Sequence, residues 1–210
     1  MDAWLSDLIQ GAPLLVALAV AFLLGLRHAT DPDHLVAVTS LVVADDGGVR
    51  GATRLGAWWG AGHAGTLLAV GLPLIALKGE LPGWLERGAE SAVGIVILLL
   101  ATRVIVRWLR PAHTHRIRTR SQALGIGMLH GLAGTGAVVV LLIAALPGRL
   151  EAAAALAVFA PMSMVSMAAC TSAFAWALTR PAIVPVYRVV LMPAMGAFGL
   201  LFGLWYAGIT

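Results

Sequence analysis

The chain has 210 residues, of which 60% are hydrophobic and only 11% are charged, and its formal net charge is +4. A soluble domain carries about 25% charged residues, so this composition excludes an ordinary soluble fold and indicates a membrane protein. The basic residues cluster in one loop between apolar stretches, which is a topology signal and not a nucleic-acid-binding surface. The single cysteine, Cys170, excludes an intramolecular disulfide.

Apolar segments follow one another along the whole chain, and each is long enough to cross a bilayer as a helix, which takes about 20 residues. The fold is therefore predicted to be an all-α integral membrane protein with about six transmembrane helices in a single polytopic domain, 1–210. The predicted helices cover residues 12–44, 55–77, 88–109, 121–146, 152–178 and 184–207. Charged residues, glycine or proline occupy the connections between them.

Arginine and tryptophan positions predict how the helices lie in a cell (inner or plasma) membrane. Loop 110–120 and its flanks contain a cluster of arginines: Arg103, Arg107, Arg110, Arg116, Arg118 and Arg120. Because basic loops stay in the cytoplasm, this loop is predicted to be cytoplasmic and both termini are predicted to lie outside. An interfacial belt is predicted from the tryptophans near helix ends: Trp58, Trp59, Trp84, Trp108 and Trp205.

Two segments of the chain resemble each other. Residues 25–38 align without gaps with residues 127–140, and the alignment matches His28 with His130. The copies lie three predicted helices apart, an odd number, so the two halves would cross the membrane in opposite directions. The alternative is that apolar, glycine-rich helices resemble one another by composition alone.

The repeat predicts a common transporter architecture. The halves would be roughly 8–109 and 121–207, joined by the basic loop, in a 3+3 inverted repeat with interrupted first and fourth helices. The helix-breaking Pro32 is matched by Gly134 in the second copy. Secondary transporters with inverted repeats place the substrate site near the membrane midplane, at broken helices.

The first apolar segment is interrupted by a cluster of ionisable residues, Arg27-His28-Ala29-Thr30-Asp31-Pro32-Asp33-His34. An ionised side chain at the bilayer centre costs several kcal/mol, so such residues usually pair, line a cavity or bind a ligand. Imidazole and carboxylate groups together suit divalent transition metals such as Ni(II). We therefore interpret His28, Asp31, Asp33 and His34 as candidate metal ligands.

Pro32 is predicted to set the geometry of this cluster. Proline lacks the amide hydrogen, clashes with the carbonyl of His28 four residues back, and disfavours a helical conformation at Asp31. On an unbroken helix the rings of His28 and His34 would point about 120° apart. A break would let the two rings converge and would free the carbonyl of His28 as a further ligand. The alternative is a structural ion pair of Arg27 with the aspartates, with the histidines as hydrogen-bond partners.

Two more histidines lie among small residues in predicted helices. His63 stands in Gly60-Ala61-Gly62-His63-Ala64-Gly65-Thr66, and glycines surround His130 in 127–136. Because small residues let another helix approach closely, both histidines are added to the candidate metal site. The alternative is that each is a packed or interfacial residue.

Other metal-binding side chains receive a different interpretation. His113 and His115 lie in the basic loop, where they could pass metal to a cytoplasmic metallochaperone or simply be surface residues. Packing is favoured for the remaining sulfur-containing residues of the fifth predicted helix: Met162, Met164, Met167 and Cys170.

The run 27–34 resembles the signature RHAxDxDH, also written HX4DH, of the nickel/cobalt transporter (NiCoT) family. Gly62-His63 resembles the glycine-histidine motif in the next transmembrane segment of that family. The resemblance implies permeation of nickel or cobalt, with His28, Asp33, His34 and His63 involved in metal binding.

The resemblance also has departures. The chain is shorter than the usual eight-span NiCoT proteins, and the acidic signatures of their later helices have no match here. Segment 127–136 looks more like the compact, urease-accessory (UreH-like) branch. Relatives of this kind include both importers and exporters.

The function expected from the sequence is transport of Ni²⁺ or Co²⁺ as substrate, with uptake favoured and without a prosthetic group. The expected partners are the metal ion and membrane lipid, and no nucleic acid. The alternatives are a metal exporter, a proton-coupled carrier of another small solute, or an intramembrane metalloenzyme, because histidine and aspartate also hold catalytic zinc. The sequence contains no H-E-x-x-H, G-x-S-x-G or P-loop motif, so an enzyme and direct use of ATP are disfavoured.

Overall fold

The computed structural model describes residues 14–43, 48–77, 79–80, 82–110, 119–146 and 148–208, and this part of the chain is helical and contains no strand. The helices are α1 Leu14–Arg27, α2 Pro32–Val43, α3 Gly48–Leu77, α4 Gly83–Leu109, α5 Arg120–Ala145, α6 Arg149–Ala177, α7 Ile183–Val186 and α8 Met192–Tyr206. A 3-10 turn, His28–Thr30, connects α1 to α2, and a π-helical segment, Tyr187–Leu191, connects α7 to α8. Each apolar segment of the sequence is thus confirmed as helix.

Several of these helices are suited to a bilayer. Within the described ranges, α3, α4, α6 and the continuous segment Ile183–Tyr206 are long and apolar enough to cross a membrane. α5 adds a fifth span when its parts Arg120–Thr135 and Ala137–Ala145, which meet at 42°, are taken together. Leu14–Thr30 is apolar but shorter. A helical membrane protein is therefore supported, while the sixth span and the inverted repeat stay predictions.

Glycines bring α3 close to its neighbours α5 and α6. A Cβ atom at Gly62 would overlap the backbone of Leu124 on α5, and one at Gly60 would lie 2.8 Å from the Cα atom of Met164 on α6. Helices in lipid associate through close packing of this kind, since lipid and helix surfaces are equally apolar. Side chains on α3 are therefore held tightly between two other helices.

The helix break between α1 and α2 lies where the sequence predicts it. Asp31 has φ −65° and ψ 147°, an extended conformation typical of a residue that precedes proline. The carbonyl of His28 accepts a hydrogen bond from the amide of Asp31 at 3.1 Å. The prediction that this carbonyl is free is therefore wrong, because the 3-10 turn uses it.

Ser166 on α6 binds the backbone at this break. Its hydroxyl donates to the carbonyl of Leu26 and accepts a hydrogen bond from the amide of Ala29 at 3.3 Å. Irregular backbone at membrane depth is tolerated where the surrounding protein satisfies it. The break is thus fixed to α6.

Candidate metal site

Four imidazoles meet at the break, and each comes from a different segment. His28 lies in the 3-10 turn, His34 on α2, His63 on α3 and His130 on α5. The ring centroid of His34 lies 4.4 Å from that of His28, 5.4 Å from that of His63 and 5.5 Å from that of His130. The predicted convergence of His28 and His34 is therefore found in the structure, with His34 in the centre.

Three of these histidines form a compact group. His28, His34 and His63 each offer a ring nitrogen, and these three atoms lie within 4.8 Å of one another. The Nε2 atoms of His28 and His63 are 2.9 Å apart, so one ring donates a hydrogen to the lone pair of the other when no ion is between them. A metal ion can bind both nitrogens once that hydrogen has moved to the other nitrogen of the donating ring.

Two carboxylates contact the rings of His28 and His34 and orient them. Asp31 Oδ2 lies 3.2 Å from Nδ1 of His28, and Asp33 Oδ1 lies 2.9 Å from Nδ1 of His34. Because a carboxylate only accepts, each Nδ1 carries the hydrogen, and the lone pair of the neutral ring is then on Nε2. Carboxylates commonly orient metal-binding histidines in this way. The structure thus gives both aspartates an orienting contact, and direct ligation by either stays a prediction.

His130 is oriented by backbone instead. Its Nδ1 lies 3.0 Å from the carbonyl oxygen of Ile126, one turn earlier on α5, so its lone pair is also on Nε2. A backbone carbonyl serves as well as a carboxylate in fixing the tautomer of a metal-binding histidine. His130 is thus prepared as a ligand without a charged partner.

Several ring nitrogens at this site are buried without a partner. Among the residues that the structure describes, His34 Nε2, His63 Nδ1 and His130 Nε2 have no hydrogen bond. Each buried polar atom left unpaired costs about 1–3 kcal/mol, so a concentration of them points to a ligand that binds them. A purely structural cluster of histidines would pair these atoms.

Trp59 forms one wall of the site. Its side chain is 0% exposed, and its ring centroid lies 5.3 Å from that of His34 and 5.8 Å from that of His130. The prediction that Trp59 belongs to an interfacial belt is therefore wrong, because its side chain is fully buried and packs against two histidines. The other four predicted belt residues are exposed: Trp58, Trp84, Trp108 and Trp205.

A cavity of about 180 Å³ leads to the group from one side. Its lining consists of Leu24, Arg27, His28, Asp31 and Phe159. A water molecule takes about 30 Å³, so the cavity has room for a hydrated ion. The side chain of Asp31 is 38% exposed and that of His28 is 15% exposed, so an entering ion meets these two residues first.

The structure also bears on side chains for which the sequence favours packing over metal binding. Met167 is fully buried in an apolar cluster with Ala29 and Trp59, which confirms that it packs. Cys170 is partly buried against the same cluster. His113 and His115 lie outside the described residues.

Sequence reasoning missed two residues that shape the site, Ser166 and Phe159. Both lie on α6, more than a hundred positions beyond the break that they contact. The ring of Phe159 packs edge-on against His28 with centroids 5.2 Å apart. Neither residue type is unusual in a membrane helix, so no local signal marks them.

The chain is similar to the urease accessory protein UreH of Bacillus sp. (strain TB-90), with 32% identity over 144 residues. The match covers 61% of this chain and 62% of that protein, so the chain spans about three fifths of the length of the curated relative. No protein-family model matches, and no solved structure matches. The similarity supports the resemblance to NiCoT and UreH-like proteins that the motifs indicate.

Proposed function

We propose that this protein carries divalent nickel or cobalt ions across a cell membrane and binds the ion through His28, His34 and His63. The main support for this proposal is the three-histidine group, whose ring nitrogens lie within 4.8 Å of one another among apolar helices. The ion is the transported substrate, and no prosthetic group is required.

The geometry favours an ion site over a structural ion-pair network. In such a network every buried imidazole nitrogen would be satisfied by a hydrogen bond. Here Asp31 and Asp33 each contact an imidazole nitrogen, but buried nitrogens of His34 and His63 lack partners among the described residues. Buried ring nitrogens without partners in a compact group are suited to bind a cation.

The choice of nickel or cobalt rests on chemistry and resemblance together. Imidazole nitrogen suits nickel, copper, zinc and iron, so the ligands narrow the choice to transition metals. The RHAxDxDH motif resembles nickel/cobalt transporters, and the curated relative is named a urease accessory protein, in agreement with the UreH-like branch that segment 127–136 resembles.

The position of the proposed site supports a role in transport. A charged site at a broken helix, enclosed by helices able to span a membrane, is the arrangement that secondary transporters use. The cavity beside His28 gives an ion access from one side. Uptake is the proposed direction, with loop 110–120 in the cytoplasm, where a metallochaperone would receive the ion.

Cysteines introduced at Thr119 and Gly79 test this topology. They should react with an impermeant label from opposite faces of the membrane, with Thr119 on the cytoplasmic face. Labelling of both from one face would contradict the topology.

The direct test is the flux of radiolabelled nickel into proteoliposomes that contain the purified protein. His28→Ala and His63→Ala should each abolish flux, whereas His115→Ala, a change in the loop, should leave it unchanged. Wild-type flux by both site variants would overturn the proposal. Repeating the assay with cobalt, and with and without a pH gradient, would identify the preferred ion and its energy coupling.

A further inference from the structure

We propose that the ion occupies two successive positions that share His34, an outer position on His28, His34 and His63 and an inner position on His34 and His130. This proposal rests on the proposed function and extends it, because it divides the cluster of histidines into an entry position and a transfer position.

His130 stands apart from the three-histidine group. Its ring contacts that of His34, with centroids 5.5 Å apart, but it is not part of the group whose nitrogens lie within 4.8 Å of one another. The Nε2 atoms of His28 and His63 form a close pair at 2.9 Å, whereas those of His34 and His130 have no partner among the described residues. His34 therefore lies next to the close pair of His28 and His63 and also next to His130.

The close packing of α3 and α5 holds the inner position in place. A Cβ atom at Gly131 would lie 2.6 Å from the carbonyl oxygen of His63, and one at Gly127 would overlap the carbonyl of Trp59. These contacts press α5 against α3 on either side of His130. Its ring thus has a fixed position beside His34 and Trp59, and it is 3% exposed.

Accessibility gives the two positions an order. His28 lines the cavity with Asp31, whereas His34, His63 and His130 are at most 3% exposed and do not line it. An ion entering through the cavity therefore reaches His28 first, at the edge of the three-histidine group, and it reaches His130 through His34. Two divalent ions so close together would repel strongly, so a single ion moves between the positions.

A shared ligand makes this movement feasible. Conduction requires that binding be favourable enough for an ion to enter and weak or divided enough for it to leave. With His34 bound throughout, the ion exchanges His28 and His63 for His130 and never loses all its protein ligands. The inner position is then the point of release toward the far side of the membrane.

The test compares equilibrium binding of nickel with nickel flux in the same purified variants. His63→Ala should weaken the calorimetric Kd by at least about tenfold, because it removes an outer ligand. His130→Ala should keep the Kd within about threefold of wild type and slow flux by at least about tenfold. Leu142→Ala, a truncation of a buried residue in an apolar cluster further along α5, controls for lost packing and should keep both properties.

A second variant restores a ligand at the inner position. In His130→Cys a thiolate can bind the ion, so nickel should produce a near-ultraviolet thiolate-to-nickel absorption band that wild type and His130→Ala lack. The wild-type spectrum controls for the native Cys170. Flux should recover in part.

Three results would overturn the two-position proposal while leaving the proposed function intact. One is a Kd for His130→Ala weakened as much as that of His63→Ala, which would mean a single four-histidine site. Another is wild-type flux in His130→Ala. The last is a folded His130→Cys protein without the absorption band. By contrast, a wild-type protein that neither binds nor transports nickel would contradict the proposed function itself.

Discussion

The broken pair α1–α2 and the bent helix α5 pack against their neighbours in similar ways but carry different side chains at the site. Gly25 packs α1 against α6, where a Cβ atom would lie 2.6 Å from Cβ of Met162, and Gly127 packs α5 against α3. Each histidine that the alignment matches lies beside an aromatic ring of the helix against which it packs. The ring of Phe159 is 5.2 Å from that of His28, and the ring of Trp59 is 5.8 Å from that of His130.

The two regions differ at the break. Proline removes an amide hydrogen, so the chain at Asp31-Pro32 must leave the helix, and two carboxylates occupy the opening. Gly134, which the alignment matches with Pro32, lies within α5, and the 42° bend falls beyond it, between Thr135 and Ala137. The predicted interruption of the fourth helix thus takes the form of a bend within one helix. A proline forces a break, whereas a glycine only permits a bend.

Because of this difference, the two regions are suited to different roles. The first region combines carboxylates, two imidazoles and access to a cavity, so it is suited to attract and bind a cation. The second offers one buried imidazole held by the carbonyl of Ile126, so it is suited to receive an ion. The 3+3 inverted repeat stays a prediction, which the corresponding helix pairings α1–α6 and α5–α3 support.

The largest effect is expected from His34→Ala, because His34 is common to both regions. Loss of an orienting residue lowers metal affinity by about 10–100-fold, and loss of a shared ligand should exceed that. Calorimetry with nickel should show no high-affinity binding, while size-exclusion chromatography shows a folded protein. His115→Ala is the matched control, and high-affinity binding by His34→Ala would remove this residue from the centre of the site.

The next effect is expected from Pro32→Ala. Proline at the first position of α2 is well placed there, but it opposes a continuous helix by about 3 kcal/mol, and alanine removes this barrier. The segment should then tend toward unbroken helix, which separates His28 from His34. Nickel affinity should fall by about tenfold, whereas thermal stability should be kept or raised.

Gly134→Ala gives the matched change in the second region. Nothing lies within 4 Å of a Cβ atom at Gly134, and the bend lies beyond it, so affinity and flux should stay close to wild type. Equal losses from the two substitutions would mean that both regions depend on a break. Wild-type affinity in Pro32→Ala would mean that neighbouring helices alone hold the ligands.

A smaller, graded effect is expected from the orienting carboxylates. Asp33→Ala should lower nickel affinity by about 10–100-fold, as is usual for an orienting partner of a metal-bound histidine. Asp31→Ala should cost less, because its side chain is 38% exposed, compared with 20% for Asp33, and water can replace it. Asp33→Asn keeps an acceptor oxygen and should retain more affinity than Asp33→Ala. If calorimetry shows a larger loss of affinity for Asp31→Ala than for Asp33→Ala, the more buried contact between Asp33 and His34 is not the more important one.

The most gradual effect is that of pH. Protons compete with the metal for imidazole nitrogens, so binding should weaken once the pH is low enough to protonate the histidines. Calorimetry in buffers of different ionisation enthalpy measures any protons that binding releases. An affinity that stays constant down to the pH at which the protein unfolds would argue against histidine ligation in either region.

The sequence was most informative where the rules are local. Pro32 acts on its immediate neighbours, so the break, the extended Asp31 and the convergence of His28 and His34 follow from the residues themselves. The helical segments follow in the same way from continuous apolar runs.

Features that depend on distant parts of the chain were not predictable. Trp59 forms a wall of the site because the face of α3 on which it lies packs against α5. Ser166 and Phe159 reach the break only through tertiary packing of α6. The orienting contacts of Asp31 and Asp33 also depend on the fold, since the sequence shows only that ligand-type side chains are near one another.

X-ray absorption spectroscopy of nickel bound to the purified wild-type protein would show directly whether histidines bind the ion. Because His28, His34 and His63 offer ring nitrogens within 4.8 Å of one another, the spectrum should show nitrogen ligands with the outer-shell scattering of about three imidazole rings. That scattering should diminish in His63→Ala. A nickel ion surrounded by oxygen ligands alone, without imidazole scattering, would contradict the account.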